Sequence, residues 1–285
     1  MKKKIMLFGI IILFFSPYLQ AQVNVIDTVA TTTNFPFDLA VNSVGDVYFL
    51  EQPAPFFLDQ WHQSPDLKVI RHGSSVVETV FSVGEFPSIG SIDGITIDQS
   101  DEVYGVSGGN TRIWKLRNST PVELSNLRQF SSTGFDLAVD QEGNILIPDG
   151  NPGLKMFYPD SRRSSTIANG SSGSNGITLS STGQVYASNL TEGVRGFSLS
   201  YGEDGFSRTP SEIIAGGGTD RSLTTAIPAI EADLTCPTPI ECKKRLAIDR
   251  EGNLLIADPG RHVIRKLTSD GLLMTIAGDG EAAYS

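Results

Sequence analysis

The 285-residue chain has few of the side chains that most enzymatic sites are built from. It has three histidines, His62, His72 and His262, and two cysteines, Cys236 and Cys242. A three-histidine zinc cage would need all three imidazoles to converge, and nothing in their spacing brings them together. Serines are many, but none stands in a G-x-S-x-G elbow between a strand and a helix. The glycine-rich "AGGGTD" lacks the helix that a phosphate-binding loop requires. No stretch keeps helical apolar spacing over ten or more residues. Positive charge is also scarce: 22 basic residues face 32 acidic ones, a formal net charge of −10. That balance argues against nucleic acid or an anionic membrane as partner.

Long apolar runs are confined to the first residues. Lys2, Lys3 and Lys4 precede Ile5 to Phe15, and Pro17 and Ala21 follow. This basic, apolar, small-residue order reads as a secretory signal, too short and wrongly flanked to span a membrane. Residues 1–21 are therefore expected to be removed, and residues 22–285 to form an exported, periplasmic or extracellular domain. Losing three lysines and no acid moves the formal charge from −10 to −13. Both cysteines lie in one loop, "CPTPIEC", and in an exported chain a local Cys236–Cys242 disulfide is the expectation.

What the chain does have is a repeat. "FDLAVNSVGDVYFLE" from Phe37 recurs as "DGITIDQSDEVYGVS" from Asp93, "FDLAVDQEGNILIPD" from Phe135, "NGITLSSTGQVYASN" from Asn175 and "KRLAIDREGNLLIAD" from Lys244. The starts are 56, 42, 40 and 69 residues apart. The shorter spacings fit the roughly 40–45 residues of a four-stranded propeller blade, and the longer ones need insertions. Each copy holds two strands rich in Val, Ile, Leu and Tyr. Between them Asn42, Asp98, Asp140 and Asp249 stand three residues before Gly45, Asp101, Gly143 and Gly252, a spacing that suits turn formers better than catalytic carboxylates. Two further apolar runs follow each copy, such as "GLKMFY" with "RSSTIA" and "HVIRKL" with "LLMTIA". The fold class expected is all-β, with five four-stranded blades packed face to face.

The last copy adds a resemblance. "LAIDREGNLLIADPGRHVIRKL" followed by "TIAGDG" resembles an NHL repeat, with Asp258, Arg261, His262 and Arg265 on the matching positions. The other copies are similar to generic NHL or gluconolactonase-type blades. The resemblance implies a six-bladed propeller of the secreted bacterial type. Five repeats then leave the opening strand "VNVIDTVAT", Val23 to Thr31, without a blade, so the domain and its last blade are expected to be incomplete at the C-terminus; a native five-bladed form is the alternative.

In such folds the loops entering the first strand and those joining the second strand to the third share one face. The anomalies of this chain fall there: residues 52–66 with Phe56, Phe57, Trp61 and His62, residues 84–92 with Phe86, and residues 216–243 with both cysteines. Exposed aromatics on insertions would offer a protein or glycan surface; the alternative is a loop packing its own small core. The first residue of each copy, Phe37, Asp93, Phe135, Asn175 and Lys244, is expected at the channel mouth on that face. In gluconolactonase- and regucalcin-like propellers "DG" and "NG" there supply oxygen ligands for a divalent metal, so the resemblance implies Asp93 and Asn175 as ligands for a cation such as calcium. Phe37, Phe135 and Lys244 depart from that pattern, and Pro36 stands where a ligand Glu is expected. The reading is a non-catalytic exported binding module, with a metal-dependent lactonase or lyase as the alternative.

Overall fold

The computed structural model describes residues 35–52, 65–90, 92–107, 112–126, 136–149, 153–169, 176–189, 193–202, 205–235 and 244–281, and ahead of them only the antiparallel pair Ile11–Ile12 with Asp27–Thr28. The opening strand expected at 23–31 otherwise lies outside these residues. Within them the chain is all β, apart from single 3-10 turns at Val83–Glu85, Ala229–Glu231 and Pro259–Arg261.

Five antiparallel meanders follow the five repeats. The first is Phe35–Val41, Val47–Gln52, Asp66–Ile70 and Val77–Phe81; the second is Ile92–Ile97, Val103–Ser107, Arg112–Arg117 and Thr120–Asn126. The third is Ala138–Val139, Ile145–Asp149, Gly153–Tyr158 and Arg163–Asn169. The fourth is Gly176–Leu179, Gln184–Ser188, Val194–Gly202 and Glu212–Ala215; the fifth is Leu246–Ile248, Leu254–Asp258, Val263–Leu267 and Leu272–Ala277. These are five blades of an all-β propeller, one fewer than the resemblance implied. The fifth blade, expected to be cut short, has all four strands and gains another: Ile227–Pro228, from the preceding insertion, pairs with Leu272–Leu273 on its outer edge. Blade 4 is also extended, because Val194–Gly202 runs on into a hairpin with Gly205–Arg208.

The chain divides into two compact units, Met1–Gly108 with Arg112–Glu123, and Gly109–Thr111 with Leu124–Ser285. In the first, Leu50, Leu67 and Phe81 of blade 1 pack against Ile92, Ile95, Val103 and Trp114 of blade 2. Phe81 meets the Trp114 ring edge-on at 5.6 Å. In the second unit, Leu146, Leu154 and Met156 of blade 3 face Ile177, Val185 and Phe197 of blade 4. Val194 and Ala215 of blade 4 then share a core with Leu254, Ile256 and Leu273 of blade 5, closed above by Ile227, Ala229 and Leu234 of the insertion. Each fully buried aliphatic side chain contributes about 1.5–3 kcal/mol, so the contacts between blades outweigh anything one sheet gains alone.

The turns do what their spacing implied. Asp140 Oδ1 accepts the N–H groups of Glu142 and Asn144 at 2.9 and 2.7 Å, and Asp249 Oδ1 accepts that of Asn253 at 2.7 Å. Blade 2 has Asp101 where the others have Gly, in the left-handed region at φ 61°. Its carboxylate repays that strain by accepting the N–H of Ser43 at 2.7 Å, and the Ser43 hydroxyl, from the blade 1 turn.

One glycine is set by packing rather than by φ. The Trp114 ring lies flat against Gly105, and a Cβ there would overlap its six-membered ring. Gly105→Ala should lower stability by roughly 1–3 kcal/mol through overpacking. Urea unfolding followed by tryptophan fluorescence checks this; an unchanged midpoint would show that the ring can move aside.

Candidate functional site

The first residue of each repeat was the place to look for chemistry. In the first unit the structure singles it out. Pro36 pairs with Glu51 and Asp38 with Leu50, leaving Phe37 as an extra residue in its strand. In blade 2, Ile92 pairs with Ser107 and Gly94 with Val106, so Asp93 is extra in the same way. Such bulges bend a strand and re-aim one side chain out of the alternation. Asp93 is half-buried at this bulge. The residue after the first bulge ties two blades together: Asp38 Oδ2 accepts the N–H of Ile95, two residues past Asp93, at 2.8 Å.

The second unit repeats the tie and adds charge. Asp136 Oδ2 accepts the N–H of Ile177 at 3.0 Å and lies 3.2 Å from a guanidinium nitrogen of Arg245. Burial pushes Asp136 up, while Arg245 and the two N–H groups of Ile177 and Leu137 hold it down. Between these partners blade 4 has Gly176, where a Cβ would collide with the carbonyl of Lys244. Ser188 Oγ donates to that same carbonyl at 2.9 Å.

Lys244 was expected at the channel mouth, but its side chain is only 1% exposed. Its Nζ donates to the Asn189 carbonyl at 3.2 Å. Burial lowers its pKa, and the carboxylate of Asp258 works against that fall. Asp258 is wholly buried and sits 3.4 Å from Arg261, which in turn contacts Asp233 at 3.0 Å. Arg221 reaches the same Asp233 oxygen at 2.7 Å. Burial pushes Asp233 up, but the hydroxyl and N–H of Thr235, then Arg221 and Arg261, outweigh it and hold the carboxyl well below the usual range. The motif residues Asp258 and Arg261 thus seat the insertion of residues 216–235 on blade 5.

Sequence reasoning missed a second repeated position. The last residue of every copy is polar although it ends an apolar run: Glu51, Ser107, Asp149, Asn189 and Asp258. Glu51, Ser107, Asn189 and Asp258 are all at most 5% exposed. Glu51 meets Lys68 at 3.7 Å, and Ser107 Oγ donates to the Ile89 carbonyl at 2.7 Å. The signal was available from aligning the copies, as a column of polar residues closing the second strand of each.

Of the other expected site residues, Phe86 is half-buried and packs edge-on against Phe81 at 5.7 Å, so it belongs to the core between blades 1 and 2. Phe56, Phe57, Trp61, His62, Asn175, Cys236 and Cys242 lie outside the described residues. For a hard cation, which wants six to eight oxygens, the described residues offer Asp93 and no group of three His, Cys, Asp or Glu side chains placed around a common point.

No protein-family model and no curated protein matches the chain. Solved structures do. One is a structural genomics protein of unknown function from Bacteroides thetaiotaomicron, 17% identical with a TM-score of 0.60, covering 88% of this chain and 59% of its own. Another is an auxiliary nutrient binding protein from Bacteroides ovatus, 16% identical with a TM-score of 0.58, covering 82% and 54%. A third is a gluconolactonase from Xanthomonas campestris, 13% identical with a TM-score of 0.56, covering 86% and 76%. These are β-propellers, and at such identities they show the fold alone. The chain spans less than two thirds of the length of the first two.

The Asp233 cluster carries a pH signature. A carboxyl depressed by folding stabilises the folded state above its unfolded pKa of about 4, and that stability is lost as pH falls further. Asp233→Asn should therefore cost on the order of 2 kcal/mol at pH 7. The gap to the unsubstituted protein should shrink below pH 4. Chemical unfolding at both pH values checks it; a gap independent of pH would remove Asp233 from the acid response.

Proposed function

We propose that this chain is an exported NHL-type propeller whose loop-bearing face binds a protein or glycan, a reading we favour over a metal-dependent hydrolase. The observation that carries the reading is how the strand-end charges are used. Asp136 is engaged by Arg245, Glu51 by Lys68, and Asp258 by Arg261 beside Lys244. These groups hold strands and insertions in place.

Three further observations support it. Residues 2–21 have the order of a secretory signal. The long insertions fall at 52–66 and 216–243 in the sequence, between strand-forming segments, and binding residues concentrate on such loops. Two of the similar structures, from B. ovatus and B. thetaiotaomicron, are described as auxiliary nutrient binding proteins. In this reading Phe56, Phe57, Trp61 and His62 form the contact surface, and a Cys236–Cys242 bridge staples the loop that enters blade 5. The gluconolactonase likeness supports the competing reading, in which Asp93 at its bulge and Asn175 hold a divalent cation beside a lactone.

The two are separated by affinity electrophoresis through gels containing soluble polysaccharides, together with calcium calorimetry. Binding should be retarded in at least one glycan gel, weakened tenfold or more by Trp61→Ala, and untouched by Asp93→Ala. Saturable calcium binding that is lost in Asp93→Ala, with calcium-dependent lactone hydrolysis, would reverse the conclusion.

A further inference from the structure

The junctions between blades inside each unit follow one rule. Counted from the first residue of each repeat, the fourth and twelfth residues of one blade pack on the third, fifth and eleventh of the next. Between blades 1 and 2, Ala40 and Tyr48 meet Ile95, Ile97 and Val103. Between blades 3 and 4, Ala138 and Leu146 meet Ile177, Leu179 and Val185. Between blades 4 and 5, Tyr186 meets Leu246, Ile248 and Leu254. A forward face therefore always takes a backward face.

Two faces at the ends of the repeat series stay open. The forward face of blade 5 has Ala247, exposed, and Leu255, half-exposed, where the earlier blades have packed residues. In the same row as Leu255, Met274 is 37% exposed, and Lys266 between them is held by Asp249 at 2.8 Å. The backward face of blade 1 has Leu39 and Val41, 41% and 46% exposed, whereas the counterparts of Leu39 in blades 2 and 4, Ile95 and Ile177, are 3% and 2% exposed. Its third backward residue, Val47, is already covered together with Phe49 and Ile70. End repeats of a stacked array normally carry a polar outer face, and these two do not.

The turns point the same way. The seventh residue of a repeat reaches forward to the next turn: the Ser43 N–H donates to Asp101 at 2.7 Å, and Gln141 Nε2 donates to the Ser181 carbonyl. In blade 5 that residue is Arg250, an exposed donor, and blade 1 has the Ser43 carbonyl at the place of Ser181.

We infer that the forward face of blade 5 docks on the backward face of blade 1 in a second copy of this chain, with Arg250 reaching the turn at Ser43. The contact repeats between copies the fit that the chain makes three times within itself, and it is driven by burial of apolar surface. A net charge of −10 keeps copies apart elsewhere, which confines association to these apolar faces. Because the two surfaces differ, association is head to tail and continues into a ring or a short filament.

Light scattering coupled to size exclusion, over a range of protein concentrations, tests this on the full chain. Mass should rise with concentration beyond that of a dimer. Leu39→Glu and Leu255→Glu change positions that are not buried, so each should keep its β circular dichroism while association weakens tenfold or more. Mixed together, the two variants bring one intact forward face and one intact backward face, and should form a heterodimer that grows no further. A mass that stays monomeric at every concentration, as closure within one copy or a further blade on these faces gives, overturns the inference. So does a mixture of the two variants that stays monomeric, or association that persists in either variant alone.

Discussion

A four-stranded meander has two apolar faces and cannot bury both by itself. Everything else in this protein follows from that constraint. Blade 1 covers its Leu50, Leu67 and Phe81 with blade 2; blade 3 covers Leu146 and Met156 with blade 4; blade 4 covers Val194 and Ala215 with blade 5. Backbone ties then set the height at which the faces meet. Asp38 and Asp136 occupy the same place in their repeats, and each accepts the N–H of an isoleucine at the same place in the next blade, Ile95 and Ile177. Where the next blade comes too close for any side chain, as at Gly176 under the Lys244 carbonyl, the repeat has glycine.

Charged groups are drawn into the same task. A propeller of this length has many strand ends to secure, and an acidic or basic residue buried at one must find a partner or destabilise the fold. Glu51, Asp136, Asp233 and Asp258 each find one. The residues that look most like chemistry in the sequence are therefore largely spoken for in the structure. The insertions are what differ from repeat to repeat in the sequence.

The division between what was legible and what was not is physical. Strand alternation, the Asp-x-x-Gly turns and the repeat spacing are local, and the strands, turns and five blades could be read from them. Asp101 in place of Gly was legible as an anomaly, though not its cause, which is a carboxylate reaching Ser43 in another blade. Phe86 was read as a surface aromatic because it stands in a loop entering blade 2, but Phe81 lies beside it only after blade 1 has folded. The fifth strand at Ile227–Pro228 is two residues long, too short for any periodicity, and exists because the edge of Leu272–Ala277 was open to it.

The sequence by itself determined the class of fold, the number of blades in these residues and the faces each strand buries, since those depend on patterns within about fifteen residues. Tertiary structure alone decided the fate of the charges. Lys244 and Arg245 are adjacent in the chain and equally basic on paper. One is buried against Asn189 beside Asp258, and the other reaches past Gly176 to Asp136. Both stand just ahead of the strand Leu246–Ile248, and what each side chain meets is set by which blades flank it and not by its neighbours in sequence.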